Sequence, residues 1–421
     1  MNPPKHLKNQ ATLAREVVEH LDGAVERGRT VDRTLHAFYR SRKHLGSRDR
    51  RLLSAVAFSH FRWLGWTKDS ALAFYLDAAE RNGAVDLLLA ESELAGGASG
   101  EDALALVQPM GDASFEEKAA AFQAWTGADE PPTTAALFPA WVPENLKLPV
   151  FQSRPPVWLR VRHHERERVF RRIEAIGLKS TVHPAQPLAV SSPDHRGVTK
   201  LRQEVQGLME MQTLVSQVAG LVCDPQPGEY WWDACCGAGG KSLHLNELMK
   251  YKGRILASDT RGDAINQFRK REHRGNLAHI EMHVLDARVE NVSDQMFNGI
   301  LADAPCTGIG TWARNPDARW RLRAKHVDFH VQAQADILHN LARNLQPGGR
   351  LVYAVCTLTE EETSGSVATF LGNHAEFELD PFDNPLDGSP TDGTLLLHPD
   401  DHQGDGMYIA RFKKTELGAS A

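Results

Sequence analysis

Two short segments each set a cysteine among residues suited to a covalent reaction. One is Asp303-Ala-Pro-Cys306-Thr-Gly-Ile-Gly310, followed by Arg314-Asn315-Pro316; the other is Tyr353-Ala-Val-Cys356-Thr-Leu358, with Glu360 to Glu362 behind it. A lone cysteine at the end of a strand is more often a small buried hydrophobe than a nucleophile. Two of them, each ending a predicted strand on the same side of a sheet, weigh against that reading. A pair of thiols suits substitution at carbon 5 of a pyrimidine, which is a poor nucleophile. A thiolate added at carbon 6 breaks aromaticity and makes carbon 5 enamine-like. Afterwards the carbon 5 proton must leave and the thiol must be eliminated, so one cysteine attacks and a second assists release. Asp303, three residues before Cys306, is suited to hold a protonated ring nitrogen and to stabilise the charge that builds during attack. The loop with Gly308 and Gly310 reads as mobile and tight enough to wrap a base.

A third segment, Asp233-Ala234-Cys235-Cys236-Gly237-Ala238-Gly239-Gly240-Lys241-Ser242, runs from a strand through a glycine-rich turn into a helix. It lacks the spacing of a P-loop and of a dinucleotide fingerprint. Its glycines allow backbone amides to approach a ligand closely. Asp259 ends the next strand, where it could accept two ribose hydroxyls, and Asp286-Ala287 after a third strand could face an adenine ring. Taken singly, each acid reads as a helix cap or a solvated loop residue. Their succession suggests S-adenosylmethionine bound by a class I methyltransferase.

The elements that must position these residues alternate strand and helix. Tyr230 to Asp233, Arg254 to Asp259, Ile280 to Leu285, Gly299 to Asp303 and Arg350 to Val355 are short apolar runs, several ending in an acid. Ser242 to Met249, Asp263 to His273 and Val327 to Leu345 have helical spacing. This predicts a mostly parallel, Rossmann-like α/β domain over 206–415, with ligands at the carboxyl ends of its strands. Residues 150–205 change period. Val157, Leu159 and Val161 alternate against Trp158 and Arg160, Glu165 to Ile176 is helical, and Leu188 to Val190 is a further strand, giving a small α+β module. Residues 1–130 are all-α, with Leu13, Val17, Val18 and Leu21 and then Leu52, Leu53, Val56, Ala57 and Phe61 at helical spacing. Ala95 to Gly100 reads as a loop, Pro-rich 131–149 as a linker, and 416–421 as a tail.

Composition narrows the class. Of 421 residues, 42% are hydrophobic and 24% charged, as in globular proteins, and no apolar run is long enough for a membrane span. Five cysteines without framework or paired CxxC spacing predict reduced thiols and no metal site. With a polar start lacking an apolar stretch, this predicts a cytoplasmic protein. The net charge of −6 hides blocks: 13 Lys/Arg against 6 Asp/Glu over Met1–Arg62, 2 against 13 over Asp69–Glu130, 11 against 5 over Phe151–Gly207, and 3 against 13 over Glu360–Ala421. The two basic blocks could form a phosphate-binding track, with Arg160, Arg162 and Arg202 as candidate contacts.

These motifs resemble the RsmB/Sun family of RNA 5-methylcytosine methyltransferases. The family's glycine motif is similar to Asp233–Ser242, its Asp-Ala-Pro-Cys matches Asp303–Cys306, and its Thr-Cys-Ser is similar to Val355-Cys356-Thr357. Gln212 and Ser216-Gln217 sit where the family has Val-Gln-Asp-Glu-Ala-Ser-Gln. Asp405-Gly-Met-Tyr-Ile-Ala410 resembles its closing Asp-Gly-Phe-Phe strand. Leu45-Gly-Ser-Arg-Asp-Arg-Arg-Leu-Leu53 with Phe61-Arg62-Trp63 is similar to the fused NusB-like domain of bacterial members, and 150–205 to an RRM-like extension. The resemblance implies that Cys356 attacks, that Cys306 assists release, and that the Asp233 loop, Asp259, Asp286 and Asp303 hold S-adenosylmethionine. It also implies an RNA substrate, small-subunit ribosomal RNA by analogy, and a monomer without metal. The chain departs from the pattern at Ala238, where a proline is usual, at Thr213-Leu214, where an acidic pair is usual, and at Val355 and Thr357. An alternative from another class is a non-catalytic RNA-binding or assembly protein with a degenerate methyltransferase domain. Retention of both cysteines and Asp303 argues against it. A base-amine methyltransferase would carry an Asn/Asp-Pro-Pro-Tyr/Phe motif instead of Asp303–Cys306.

Overall fold

The structure is a computed structural model and describes residues 3–92, 94, 97–275, 280–289 and 296–416. Ala95 and Gly96 of the expected loop, and 417–421 of the expected tail, lie outside the described residues. The chain divides into two compact units, Met1–Arg154 with Trp312–Ala324, and Pro155–Thr311 with Lys325–Ala421. Among the described residues no helix is long and apolar enough to cross a membrane.

The first unit is helical, as its periodicity predicts. Helices α1 (Lys5–Glu26), α2 (Val31–Ser41), α3 (Ser47–Trp63), α4 (Ser70–Asp77), α5 (Gly83–Ala90), α6 (Gly100–Leu106) and α7 (Phe115–Thr126) follow one another. On α1 the residues Ala14, Val17, Val18, Leu21 and Val25 are buried, the stripe expected of an amphipathic helix facing a core. The Pro-rich stretch expected to be a linker is instead part of this unit. It forms three 3-10 turns whose Leu137, Phe138, Val142, Leu146 and Phe151 are buried. Proline opposes long helix but not tight turns, and the apolar residues between the prolines supply the packing.

Residues Trp312–Ala324, expected to lie in the methyltransferase domain, also belong to the first unit. Trp312 packs against Phe138 and Phe151. Arg62 Nη1 donates to Ala313 O at 2.8 Å, Trp320 Nε1 to Phe61 O at 2.8 Å, and Val31 N to Asp317 Oδ2 at 3.2 Å. Arg319 is fully buried and donates to Leu137 O. The apolar and arginine content of this segment is therefore explained by packing in the helical unit.

The second unit begins with a split βαβ module: β1 (Val157–Val161), α8 (Arg166–Ala175), β2 (Thr181–Val182), β3 (Ala189–Ser192), α9 (His195–Glu204) and β4 (Met209–Met211). Its antiparallel strands have the order β2-β3-β1-β4, the ferredoxin-like arrangement. Val157, Leu159 and Val161 face α8 and α9 through Val169, Ile173, Val198 and Leu201. The opposite face is covered as well. Trp158 and Ala189 pack on Leu214, which accounts for an apolar residue where the family has an acid.

Arg160 and Arg162 are consequently buried, not members of an exposed phosphate track. Arg160 Nη1 is ion-paired with Glu247, and its Nε donates to Gln212 Oε1 at 2.7 Å. The basic excess of 150–205 thus serves partly to hold the module in place.

The larger sheet follows α10 (Leu214–Cys223). It contains β5 (Tyr230–Asp233), β6 (Arg254–Asp259), β7 (Ile280–Val284), β8 (Phe297–Asp303), β9 (Leu345–Val355), β10 (Phe377–Leu379), β11 (Thr394–Leu397) and β12 (Met407–Lys414). The helices are α11 (Gly240–Leu248), α12 (Gly262–Gly275), the short α13 (Ala318–Arg321) in the segment of the first unit, α14 (Lys325–Ala342) and α15 (Ser364–Asn373). The order is β10-β12-β9-β8-β5-β6-β7, with β11 beside β12. Strands β5 to β9 are mutually parallel, and β12 runs antiparallel to β9. The chain steps from β5 to β6 and β7, then returns to the other side of β5 for β8 and β9. That reversal opens a crevice at the strands' carboxyl ends.

Truncating Glu247→Ala should leave the Arg160 guanidinium buried without its counter-charge. We expect a loss of about 3–5 kcal/mol in unfolding free energy, read as a lower urea midpoint.

Candidate active site

Strands β5, β6 and β8 end in Asp233, Asp259 and Asp303, and Asp286 follows β7 by two residues. All four acids, the glycine turn and both cysteines lie at the carboxyl-end rim of the sheet.

The turn after β5 is closely packed. Gly237 and Gly239 have φ of 54° and 80°, and a Cβ on Gly239 would stand 2.2 Å from the Phe268 ring, so side chains there would be strained and obstructed. Ala238, where a proline is usual, lends its carbonyl to Arg271 Nη1 at 2.8 Å. Arg271 Nη2 also pairs with Glu210 of β4 at 2.6 Å, tying module to turn. Cys235 and Cys236 sit on this turn, and burial pushes both thiols far up. The same holds for Cys223 inside α10. These three therefore stay protonated and are not nucleophiles.

Asp233 is fully buried. Its Oδ2 accepts from Ser242 Oγ at 2.6 Å, while Oδ1 has no partner. Burial, with Asp303 and Asp259 nearby, raises its pKa to about 7 despite the Ser242 bond. Asp259 accepts from Gly237 N at 2.9 Å and is clamped by Arg261 through Nε and Nη2 at 2.9 and 3.1 Å. Burial alone would raise its pKa, but the Arg261 bonds outweigh burial and hold it low. The oxygens expected to meet ribose hydroxyls are thus covered by a largely exposed arginine, which must swing away. Asp286 is gripped in the same way by Arg288, whose hydrogen bonds lower its pKa. Ala287 is buried, and its carbonyl accepts from Asn340 of α14.

Lys241 does more than continue the turn. Its Nζ donates to Asp303 Oδ2 at 2.7 Å, joining the glycine turn to the Asp-Ala-Pro-Cys loop. Burial would lower its pKa, but Asp303 and Asp233 prevail and raise it, so Lys241 is a cation. The Asp303 side chain remains 32% exposed, leaving it accessible to a substrate.

The structure brings the two cysteines together: Cys306 Sγ and Cys356 Sγ are 3.4 Å apart. The Cys306 thiol is raised well above its ordinary pKa, first by its hydrogen bond with Cys356 and then by burial. Cys306 therefore favours its protonated form beside Cys356. The loop expected to be mobile is pinned: Gly310 N donates to Cys356 O at 3.0 Å, and Gly406 N to Gly310 O at 2.7 Å. A Cβ at Gly310 would stand 2.3 Å from Gly406 O, so only glycine permits this approach.

Behind the thiols lies Glu362, fully buried and named in the sequence only as a trailing acid. Its Oε1 accepts from Thr307 N at 2.9 Å and Gln334 Nε2 at 3.2 Å. Its Oε2 accepts from Thr357 Oγ1 at 3.0 Å, Thr359 Oγ1 at 2.9 Å and Thr307 Oγ1. One carboxylate thus binds the residue after each cysteine. A hydroxyl is what this requires beside Cys356, so threonine serves where the family has serine. The sequence signal was present as a threonine every second residue, at 357 and 359, ahead of an acid at 362.

Two predictions follow from this geometry. Glu362→Ala should orphan Thr307 N–H and lower stability by about 2–4 kcal/mol; Glu362→Gln, keeping one carbonyl acceptor, should recover more than half in urea unfolding. Asp233 is protonated more readily folded than unfolded, so its contribution to stability should fall as pH rises from about 4 through 7. Asp233→Asn should flatten that part of the stability–pH curve, measured against the native chain.

Residues 220–413 match the family 16S rRNA methyltransferase RsmB/F. The chain is 30% identical over 273 residues to a probable ribosomal RNA small subunit methyltransferase B of Synechocystis, covering 63% of this chain and 61% of that protein. It is 31% identical over 292 residues to ribosomal RNA small subunit methyltransferase B of Yersinia enterocolitica, covering 66% of each. The alignments therefore leave over a third of the length of these relatives unmatched. In fold, the chain is similar to the crystal structure of PH0851, with a TM-score of 0.69 at 23% identity over 98% of this chain and 99% of that one. It is also similar to the crystal structure of NSun6 from Pyrococcus horikoshii with SFG, with a TM-score of 0.54 at 20% identity over 62% and 92%. The likeness to the 16S rRNA methyltransferase RsmB/F family is thus carried by residues 220–413, which hold the glycine turn and both cysteine motifs.

Proposed function

We propose that this protein is an S-adenosylmethionine-dependent RNA (cytosine-5) methyltransferase acting on small-subunit ribosomal RNA, as a cytoplasmic monomer without metal. The observation that carries the chemistry is the 3.4 Å approach of Cys306 and Cys356 at the strand ends, beside Asp303. The family match and the names of the relatives support the substrate class.

The residues of the rim fit the cofactor. Asp233 has a buried oxygen without a partner, the turn is kept free of side chains at Gly237 and Gly239, and Asp259 and Asp286 offer carboxylates behind displaceable arginines. When bound, S-adenosylmethionine supplies an electrophilic methyl group. Cys356 Sγ, 3.4 Å from Cys306 Sγ, adds to carbon 6 of an unstacked cytosine. Asp303 holds the protonated ring nitrogen, and Lys241 keeps Asp303 in register. The addition makes carbon 5 enamine-like. The carbon 5 proton then leaves to water, and Cys306 is placed to assist the elimination that regenerates Cys356. We propose that the helical first unit is the NusB-like RNA-binding part. The βαββαβ module is the RRM-like extension, acting as a spacer, since Trp158 on its open face is covered.

The two cysteines are distinguishable. Cys356→Ala should be inactive yet bind cofactor. Cys306→Ala should attack and then stall, leaving a denaturant-resistant, nuclease-sensitive protein–RNA band absent from Cys356→Ala and from the double variant. The reverse pattern would make Cys306 the nucleophile. No adduct in any variant, with methylation intact in both single variants, would return the two cysteines to a structural role, and bisulfite sequencing of ribosomal RNA with and without the gene would locate the target.

A further inference from the structure

A second concave site lies in the second unit, at the seam between the βαββαβ module and helices α10 and α11. The cavity measures about 510 Å³, within the range that accommodates a small organic ligand. It is formed at the far end of α11 from the glycine turn: the turn precedes Gly240, whereas His244, Glu247 and Leu248 line the cavity. No residue of the proposed catalytic machinery lines it.

The lining has three layers. Val161, Leu188, Ala189, Leu221 and Leu248 give apolar walls. The floor holds buried Gln217 and His244, with the Arg160–Glu247 pair beside them. His244 is only 5% exposed; its Nδ1 has no hydrogen-bond partner and lies against Gly220 of α10, where an added Cβ would stand 2.3 Å from it. Burial, with Arg160 and Lys241 nearby, holds its pKa well below the ordinary value, so the ring is neutral and carries one donor and one acceptor. The rim carries His163, His164, Lys250 and Lys252, all exposed. Neither lysine enters an ion pair among the described residues, whereas Arg160 is compensated by Glu247. Lys250 and Tyr251 both adopt positive φ, 55° and 59°, which bends the chain around the cavity mouth at two residues that ordinarily avoid that region.

Apolar walls sized for a flat ring, a neutral imidazole on the floor and uncompensated lysines at the mouth are complementary to a base attached to a phosphate. We infer that this cavity binds one nucleotide of the RNA strand outside the target cytosine, with the base inside and its phosphate at Lys250 and Lys252. The inference rests on the RNA methyltransferase reading for the source of the nucleotide, but not for the nucleotide-binding chemistry itself. The site would anchor substrate away from the reacting ring and so contribute to affinity more than to turnover.

The test uses the full chain with uridine and adenosine 5′-monophosphates, and with a single-stranded RNA that it methylates. Binding is followed by calorimetry and by the imidazole signals of His244 in NMR. Two variants are compared, the surface pair Lys250→Glu/Lys252→Glu and the cavity-filling Leu248→Trp, after each is shown to melt as the native chain does. The expected result is that mononucleotides shift the His244 signals and that both variants weaken them at least tenfold. KM for RNA should rise about tenfold with kcat and S-adenosylmethionine affinity unchanged. Absence of any nucleotide-dependent shift of His244 in the native chain would overturn the site. Nucleotide binding with RNA affinity untouched in both variants would overturn the RNA assignment and leave a site for a free nucleotide. Failure of the native chain to methylate any RNA would count against the proposed function, while the mononucleotide titration would still decide the cavity.

Discussion

The carboxylate of Glu362 is the constraint on which the reactive geometry depends. Cys306 and Cys356 lie 50 residues apart on loops that leave neighbouring parallel strands, and nothing in the strand ladder fixes how two such loops meet. Glu362 does so by accepting from Thr307 and Thr357, the residues that follow each cysteine. It lies fully buried, where an acceptor with five donors has no competing water. Gln334 brings α14 to the same carboxylate, and Tyr353 Oη donates to the Glu362 carbonyl from within β9. The sheet, a covering helix and both thiol loops are therefore referred to one residue.

A second connection runs in parallel through Lys241 and Asp303. The glycine turn and the Asp-Ala-Pro-Cys loop leave the carboxyl ends of the adjacent strands β5 and β8. A cation shared with Asp303 couples the placement of one to the other. Around it the acids are arranged unequally. Asp259 and Asp286 are held ionised by arginines two residues on, whereas Asp233, without such a partner, is pushed toward neutrality by burial. The same residue type at successive strand ends thus has different charge states, set by local partners rather than by sequence position.

Much of this was legible in the residues. The strands at Tyr230–Asp233 and Arg254–Asp259 fall where their apolar runs predict, because a parallel sheet buried on both faces requires continuous hydrophobic segments. The acids at strand ends and the two cysteine motifs were visible for the same reason. What was not legible depends on contacts between distant segments. Pro-rich 131–149 and Trp312–Ala324 have no periodicity of their own, and only their shared packing around Trp312 assigns both to the helical unit. Glu362 carries no local pattern beyond its threonines. Strands β2 and β4, two and three residues long, fall below what alternation can reveal.

Two arginines of the small module, Arg160 and Arg162, show why charge counting alone does not say which cations reach solvent. Arg160 alternates with Leu159 and Val161, so a half-exposed strand would have presented it to solvent. Both faces of this sheet are covered, one by α8 and α9 and the other by Leu214 and α11, and the guanidinium is sealed against Glu247. A buried ion pair costs desolvation and adds little net stability, but it strongly penalises any other register. Its Gln212 contact leads directly into α10, since Gln217 Nε2 donates back to Gln212 O. The module is thereby fixed to the helix that precedes β5, while its Arg166, Arg168, Arg171 and Arg202 stay exposed, and Lys250 and Lys252 add cations at the seam. Electrostatic recognition in this unit follows from which cations the packing leaves uncompensated, and not from the number that the segment contains.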